Sequence, residues 1–325
     1  MNNEVTIEIP LRVTVSLGGQ NAGKITHSSS EKFGLEGVDI DPNYEKRAGY
    51  NADFLETTVP LPELTDDQRR NAAKNSMALA REDNSVLPYH HFSIVMNRRR
   101  QLAYYTAVNI DGAQARKPAR SGDQWYFDPR IAESEQIGED LYARNQLDRG
   151  HLVRRLDPAW GSINEALAAN NDTFHFTNCS PQHAGFNQNN ETWLGIENYL
   201  LNAAQADRKK LTIFTGPVLT EDDPLYRGVR LPLYFWKIAI FFKSQTELSV
   251  TAYLLDQKDL IADAVGLERF DPKVFQVTID EIMGRTGLNF SYLINSQVDF
   301  TQEPGVERSD GLVRRKLMHV SEVSI

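Results

Sequence analysis

Leu233-Tyr234-Phe235-Trp236-Lys237-Ile238 reads as apolar on both parities of a strand. A strand with one wet face alternates, whereas a strand covered on both faces is a near-continuous apolar run. The run therefore predicts a central, two-sided strand over Leu233 to Phe242. Leu211 to Thr215 before it and Leu248 to Leu255 after it are rich in β-formers and predict its neighbours. Gly216-Pro217 and an acidic loop through Arg230 connect the first pair. Helical stretches lie on both sides in sequence, so the fold class expected is α+β: a central antiparallel sheet flanked by helices.

Further out, Tyr89 to Met96 and Leu102 to Val108 predict a hairpin turned at Asn97 to Arg100. Thr65 to Gln68 and Ser162 to Glu165 have the spacing of a capping box, in which each end satisfies a free helix N–H. They predict helices to about Arg81 and over Ile163 to Ala169. Trp125 to Phe127 and the alternating Thr173 to Asn178 are expected as strands, with a helix from Asn190 or Thr192 to about Ala206. Lys258 to Val265 and Thr278 to Arg285 look helical. Gly49 to Pro62 lacks periodicity and is expected to wrap the core as an extended arm. Gly18 to Asp41 reads as a linker, and the residues beyond about Gly311 carry no clear pattern. Thr6 to Leu17 alternates cleanly and predicts a half-buried strand, with Pro10 favouring a sheet edge.

The 325 residues, 41% hydrophobic and 24% charged, suit a soluble globular chain with one large or two ordinary domains. No apolar run approaches the ~20 residues of a membrane span, so no membrane partner is expected. Glu4, Glu8 and the alternation around them do not resemble a signal or transit peptide. An intracellular product is expected as sequenced, with a mature form whose signal has been removed, or export lacking a cleavable signal, as the alternatives. The single Cys179 excludes an internal disulfide framework. The net charge is −9, but a whole-chain charge says little about a local patch. Arg144, Arg149, Arg154 and Arg155 cluster in sequence, as do Arg98, Arg99 and Arg100, and predict an electropositive cleft on an acidic body.

Asp148-Arg149-Gly150-His151 brings together the groups that phosphodiester hydrolysis needs. Histidine can take a proton from water near neutral pH. Arginine offers a fixed planar cation that matches phosphate oxygens. A hard cation such as Mg2+ prefers oxygen ligands, keeps several waters and needs few protein ligands. Gly150 allows a bend or a close approach. Asp148 is expected among the catalytic residues, fixing the loop through backbone hydrogen bonds more than doing chemistry itself. Glu197 shares a helix face with Trp193 and Leu201, so it must find a partner. That partner is either a metal-bound water or an arginine. Asn187 is either a metal ligand or a helix cap. His90 and His91 have no further ligand at metal spacing and are expected to be structural or surface residues.

The order Asp148-Arg149-Gly150-His151, then Thr177-Asn178-Cys179-Ser180-Pro181-Gln182, then Phe186-Asn187-Gln188, then Trp193 with Glu197, resembles the DNA/RNA non-specific endonucleases. The resemblance runs from about Pro88 to about Gln257. It implies a ββα-metal motif, formed by strand, loop with asparagine and helix with glutamate. It implies His151 as general base, Arg149 on the scissile phosphate and Asn187 as the direct ligand of a hydrated Mg2+, with Mn2+ as a substitute. Glu197 would hold metal-bound water and Asn178 would support the site. Apart from the resemblance, Arg154 and Arg155 of the basic cluster are expected to bind substrate. The family places its tryptophan four residues after the metal asparagine; here Asn187 to Trp193 is six, which leaves Asn189 and Asn190 as alternative ligands. The implied activity is sequence- and sugar-non-specific cleavage of DNA and RNA. A catalytically inactive nucleic-acid-binding or assembly module is the alternative, which the two extra residues keep open. The expected organisation is an edge strand (1–17), a linker and arm (18–60), the endonuclease domain (61–300) and a tail (301–325). A homodimer and an inhibitor protein are further expected partners.

Overall fold

A computed structural model describes residues 40–317 and 322, except 81, 120, 121, 123, 185–192, 245, 259, 260 and 262–272. The expected N-terminal strand, Thr6 to Leu17, lies outside the described residues. The described residues all belong to a unit spanning Leu35–Ile325.

The two-sided run forms β9 (Tyr234–Phe242), at the middle of a large sheet. Its other strands are β1 (Val86–Pro88), β2 (Phe92–Asn97), β3 (Leu102–Asp111), β6 (Lys210–Val218), β10 (Leu248–Asp256), β11 (Lys273–Val277), β12 (Val306–Ser309) and β13 (Leu312–Leu317). The order is β1-β2-β3-β6-β9-β10-β11-β13-β12, and every pairing is antiparallel. Separate two-stranded ribbons are formed by β4 (Leu147–His151) with β5 (Cys179–His183), and by β7 (Leu225–Tyr226) with β8 (Val229–Arg230). Four α-helices lie among the described residues: α1 (Asp66–Asn71), α2 (Ile163–Asp172), α3 (Trp193–Ala206) and α4 (Ile279–Thr286). The architecture is α+β.

Alternation along β9 builds two cores. Phe235, Ala239 and Phe241 join one cluster with Ile196, Leu200, Leu201 and Ala204 of α3 and with Leu152 and Val153. Trp236, Ile238 and Ile240 join another with Ile279 and Ile282 of α4 and Phe54, Leu55 and Val59 of the arm. The arm therefore does wrap the core. Burying each of the leucine, isoleucine, valine and phenylalanine side chains is worth about 1.5–3 kcal/mol, so both sheet faces hold the fold together. A third cluster, with Leu102, Tyr142, Leu147, Phe176 and Cys179, seats the β4–β5 ribbon.

Both capping boxes form, at Thr65 and at Ser162, and Thr278 caps α4. The hairpin turns as expected, with Asn97 Oδ1 accepting from the backbone N–H groups of Arg99 and Arg100. Four elements differ from expectation. The helix expected to about Arg81 stops at Asn71, because Ala72 and Ala73 are drawn into the core, where Ala72 pairs with Asn97 and the Ala73 N–H bonds Met96 O. Trp125 to Phe127 makes no strand, only one bridge from Tyr126 to His175, because the segment it meets turns away into the 3-10 turn at Phe176. Thr173 to Asn178 is not a strand either. The chain turns off α2 through a 3-10 turn over Phe176–Asn178, and the strand begins at Cys179. Side-chain hydrogen bonds from Thr173 to Asn170 O and from Asn178 to Thr173 O hold that turn, the usual way such residues outcompete a strand. The unpatterned C-terminal residues form β12 and β13 on the sheet. Most of the helix expected over Lys258 to Val265 lies outside the described residues.

Candidate active site

Asp148, Arg149, Gly150 and His151 lie on β4, with Gly150 opposite Ser180 and His151 opposite Cys179 on β5. Side chains alternate along a strand, so Arg149 and His151 share one face while Asp148 and Gly150 share the other. A Cβ on Gly150 would meet Gln182 Cδ and Oε1 at 2.2 Å. The close approach that requires glycine is thus to a buried glutamine of the paired strand.

His151 is half-buried in an aromatic wall. Trp125 lies 4.6 Å from it, centroid to centroid, and Phe174 meets it edge-on at 5.1 Å. Trp125 also packs on Phe174 and Phe176, which fixes the wall as a unit. The residues after His151 are held by Asn178, which is fully buried. Asn178 Oδ1 accepts from the Val153 N–H at 2.9 Å. Its Nδ2 donates to Val153 O at 2.8 Å and to Thr173 O at 2.9 Å. Asn178 is therefore a brace between β4's exit and the turn beneath the wall.

Arg149 reaches out to Glu139, with Nη1 to Oε1 at 2.5 Å. Both side chains are partly exposed, and such a pair is worth only about 0–1 kcal/mol. Arg154 and Arg155 turn inward instead. Arg155 donates to Pro118 O and Asn170 Oδ1. Arg154 donates to Asn198 Oδ1 at 2.8 Å and its Nε lies 3.3 Å from Glu197 Oε2.

Glu197, on α3, is 6% exposed. Besides Arg154 it faces Lys237 from β9, with Nζ 3.4 Å from Oε1, a separation of an ion pair rather than of a well-aimed hydrogen bond. Lys237 Nζ also donates to Thr215 Oγ1 at 3.0 Å, directly across the β6–β9 pairing. Burial pushes the Glu197 carboxyl above its ordinary range against the pull of Lys237 and Arg154. Asp157, also buried, is pushed up by desolvation too. Among the described residues Glu197 Oε1 and Arg154 Nη1 make no hydrogen bond.

Asn187 and its alternatives, Asn189 and Asn190, lie outside the described residues, as does the cap of α3. His90 and His91 are structural, as expected: His90 pairs with Asp172, and His91 stacks on Trp160 and bonds Pro158 O and Glu165. His175 is buried behind the aromatic wall, and His183 bonds Gln146. Arg100 is tied to Asp223, Thr220 O and Arg230 O. Sequence reasoning missed the part played by Trp125, Asp157 and Lys237. A lysine within the apolar run of β9 was the available signal, since a charge on a two-sided strand must meet an opposite charge.

A family model described as DNA/RNA non-specific endonuclease matches residues 70–297. The chain is 41% identical over 263 residues to uncharacterized protein y4fB of Sinorhizobium fredii, a match that covers 76% of this chain and 39% of that protein. The chain thus spans well under half the length of that relative. It is 25% identical over 220 residues to a nuclease of Serratia marcescens, covering 63% of this chain and 74% of the nuclease. Among solved structures, the EndoG/EndoGI complex matches with a TM-score of 0.49 at 18% identity, covering 67% of this chain and 88% of that one. No helix among the described residues is long and apolar enough to cross a membrane.

Proposed function

The chain belongs to the DNA/RNA non-specific endonuclease family, and on that premise we propose that it hydrolyses phosphodiester bonds in DNA and RNA with a hydrated divalent cation, Mg2+ or Mn2+. The observation that carries the reading is the shared face of Arg149 and His151 on β4, braced by Asn178 and walled by Trp125 and Phe174.

His151 takes the proton of the attacking water. Its aromatic wall limits the ring's rotation, which suits a base that must meet the proton within hydrogen-bond reach. Arg149 binds the scissile phosphate. Its exposed contact with Glu139 is weak enough for a phosphate to displace, because a charge-assisted fork to phosphate is the stronger bond. Asp148, on the other face of β4, holds the ribbon rather than the substrate. Arg154 and Arg155, turned inward, act on substrate only by setting the shape and charge beneath it.

Among the described residues no three His, Cys, Asp or Glu side chains gather as a metal cage. What they offer is a hard oxygen donor, Glu197, whose Oε1 makes no hydrogen bond there. That donor fits a largely hydrated hard cation, which needs few protein ligands. Glu197 would hold its water and Asn187 would be the direct ligand. When bound, the cation supplies positive charge at the crowded phosphate. Asn187→Ala against Asn189→Ala tests the assignment. Asn187→Ala is expected to lose Mg2+-dependent plasmid cleavage by at least about 100-fold, while Asn189→Ala keeps it; the reverse reassigns the ligand. The second reading, an inactive binding module, rests on the two extra residues before Trp193. DNA binding without cleavage under any divalent metal would establish it.

A further inference from the structure

Behind the aromatic wall lies a buried polar network reaching a segment that precedes the family match at residue 70. Tyr44–Lys46 forms one 3-10 turn, capped by Asn43. The next residue, Arg47, is 3% exposed. It grips Asp172 through Nε to Oδ1 and Oδ2 at 3.0 and 2.9 Å and through Nη2 to Oδ1 at 2.8 Å. Asp172 ends α2 and also accepts from the backbone N–H of His90 at 3.1 Å.

The network then passes to His175, which is wholly buried. Its Nδ1 lies 2.7 Å from Asp172 O, and a carbonyl can only accept, so Nδ1 carries the proton. Nε2, 2.7 Å from the Tyr44 hydroxyl, is then the acceptor of that O–H. Both ring nitrogens are thus used, and the ring plane is set from two sides. His175 sits between Phe174 and Phe176, and its bridge to Tyr126 ties it to the chain just after Trp125. Those rings are the wall against which His151 rests.

We infer that Tyr44 and Arg47 are positioning residues for His151, clasping the 172–178 turn so that the wall holds the base's ring at one angle. The inference rests on His151 being the base. A purely structural clasp would affect stability alone. A positioning clasp affects the turnover step, because displacing a reacting group by ~1 Å can lower rate about 100-fold without weakening substrate binding.

The test uses the full chain and a defined duplex DNA with Mg2+. Tyr44→Phe removes one hydroxyl and keeps the ring. It is expected to lower kcat about tenfold at unchanged KM, with the protein still folded by circular dichroism. In a Phe174→Leu background, which removes one of the two rings that touch His151, Tyr44→Phe should lower kcat by a smaller factor than it does in the wild type. Arg47→Lys, which keeps a charge on Asp172, should retain more activity than Arg47→Met. An unaltered kcat in Tyr44→Phe, or losses that simply multiply with Phe174→Leu, would overturn the clasp. His151→Ala separates the two levels. If it keeps full activity, the reading of the site falls and the clasp with it. If it is inactive while Tyr44→Phe is unimpaired, the clasp alone falls.

Discussion

Two buried polar clusters flank the β4 ribbon, and they are built in opposite ways. The first joins Tyr44, Arg47, His90, Asp172 and His175; the second joins Arg154, Asp157, Glu197 and Lys237. In the first, a bidentate arginine and a histidine hold the Asp172 carboxyl well below the ordinary carboxylate range despite burial. In the second, burial outweighs two cations and pushes both Glu197 and Asp157 above theirs. A hydrogen-bonded carboxylate is a finished structural joint, whereas an under-satisfied one is held at some cost to stability. On the function proposed above, the first cluster holds the site and the second works in it.

Three perturbations break or sharpen this contrast. The largest effect is expected from Asp172→Ala, which strands the Arg47 guanidinium in the interior. Removing one partner of a buried pair costs about 3–5 kcal/mol, so the urea midpoint should drop steeply at unchanged slope. A loss below about 1 kcal/mol, the range of exposed pairs, would mean that the joint is not closed in solution.

Lys237→Met should have a smaller effect, about 2 kcal/mol, because burial already raises the Glu197 carboxyl, which can take up a proton rather than remain an isolated charge. Adding Glu197→Gln should return part of that stability while activity stays lost. Were the double variant both stable and active, the second cluster would be structural like the first.

The smallest effect is on pH dependence. Burial holds the His175 pKa below its ordinary 6.5, so the unfolded chain binds a proton that the native chain refuses. Stability is therefore complete above about pH 6.5 and declines as pH falls below it. The decline follows the uptake of one proton by the unfolded chain and cannot exceed about 1.36 kcal/mol per pH unit. It should flatten in His175→Gln, and an equal slope in that variant would place the proton elsewhere.

The sequence made some of this legible and hid the rest for identifiable reasons. Signals confined to one turn or one strand were readable. Thr65 with Gln68 and Ser162 with Glu165 close the expected boxes, and the doubly apolar run of β9 lies mid-sheet. The order of Arg149, His151 and Asn178 pointed to one region, and β4 and β5 do pair there. Contacts between distant residues were not readable. Arg47 and Asp172 look like ordinary surface charges in sequence, and only the fold brings them together. The alternation of Phe174 and Phe176 imitated a strand because both rings are buried from within a turn. The strand β13 was masked by Arg314, Arg315 and Lys316, and Arg314 has Glu281 of α4 as its partner.

The most direct measurement is cleavage of plasmid DNA and of RNA by the wild type and by His151→Ala, each with Mg2+ and with EDTA. Wild-type cleavage of both polymers that stops in EDTA and falls at least about 1,000-fold in a folded His151→Ala protein is the expected result. Undiminished cleavage by His151→Ala, or no cleavage by the wild type with any divalent metal, would contradict the account.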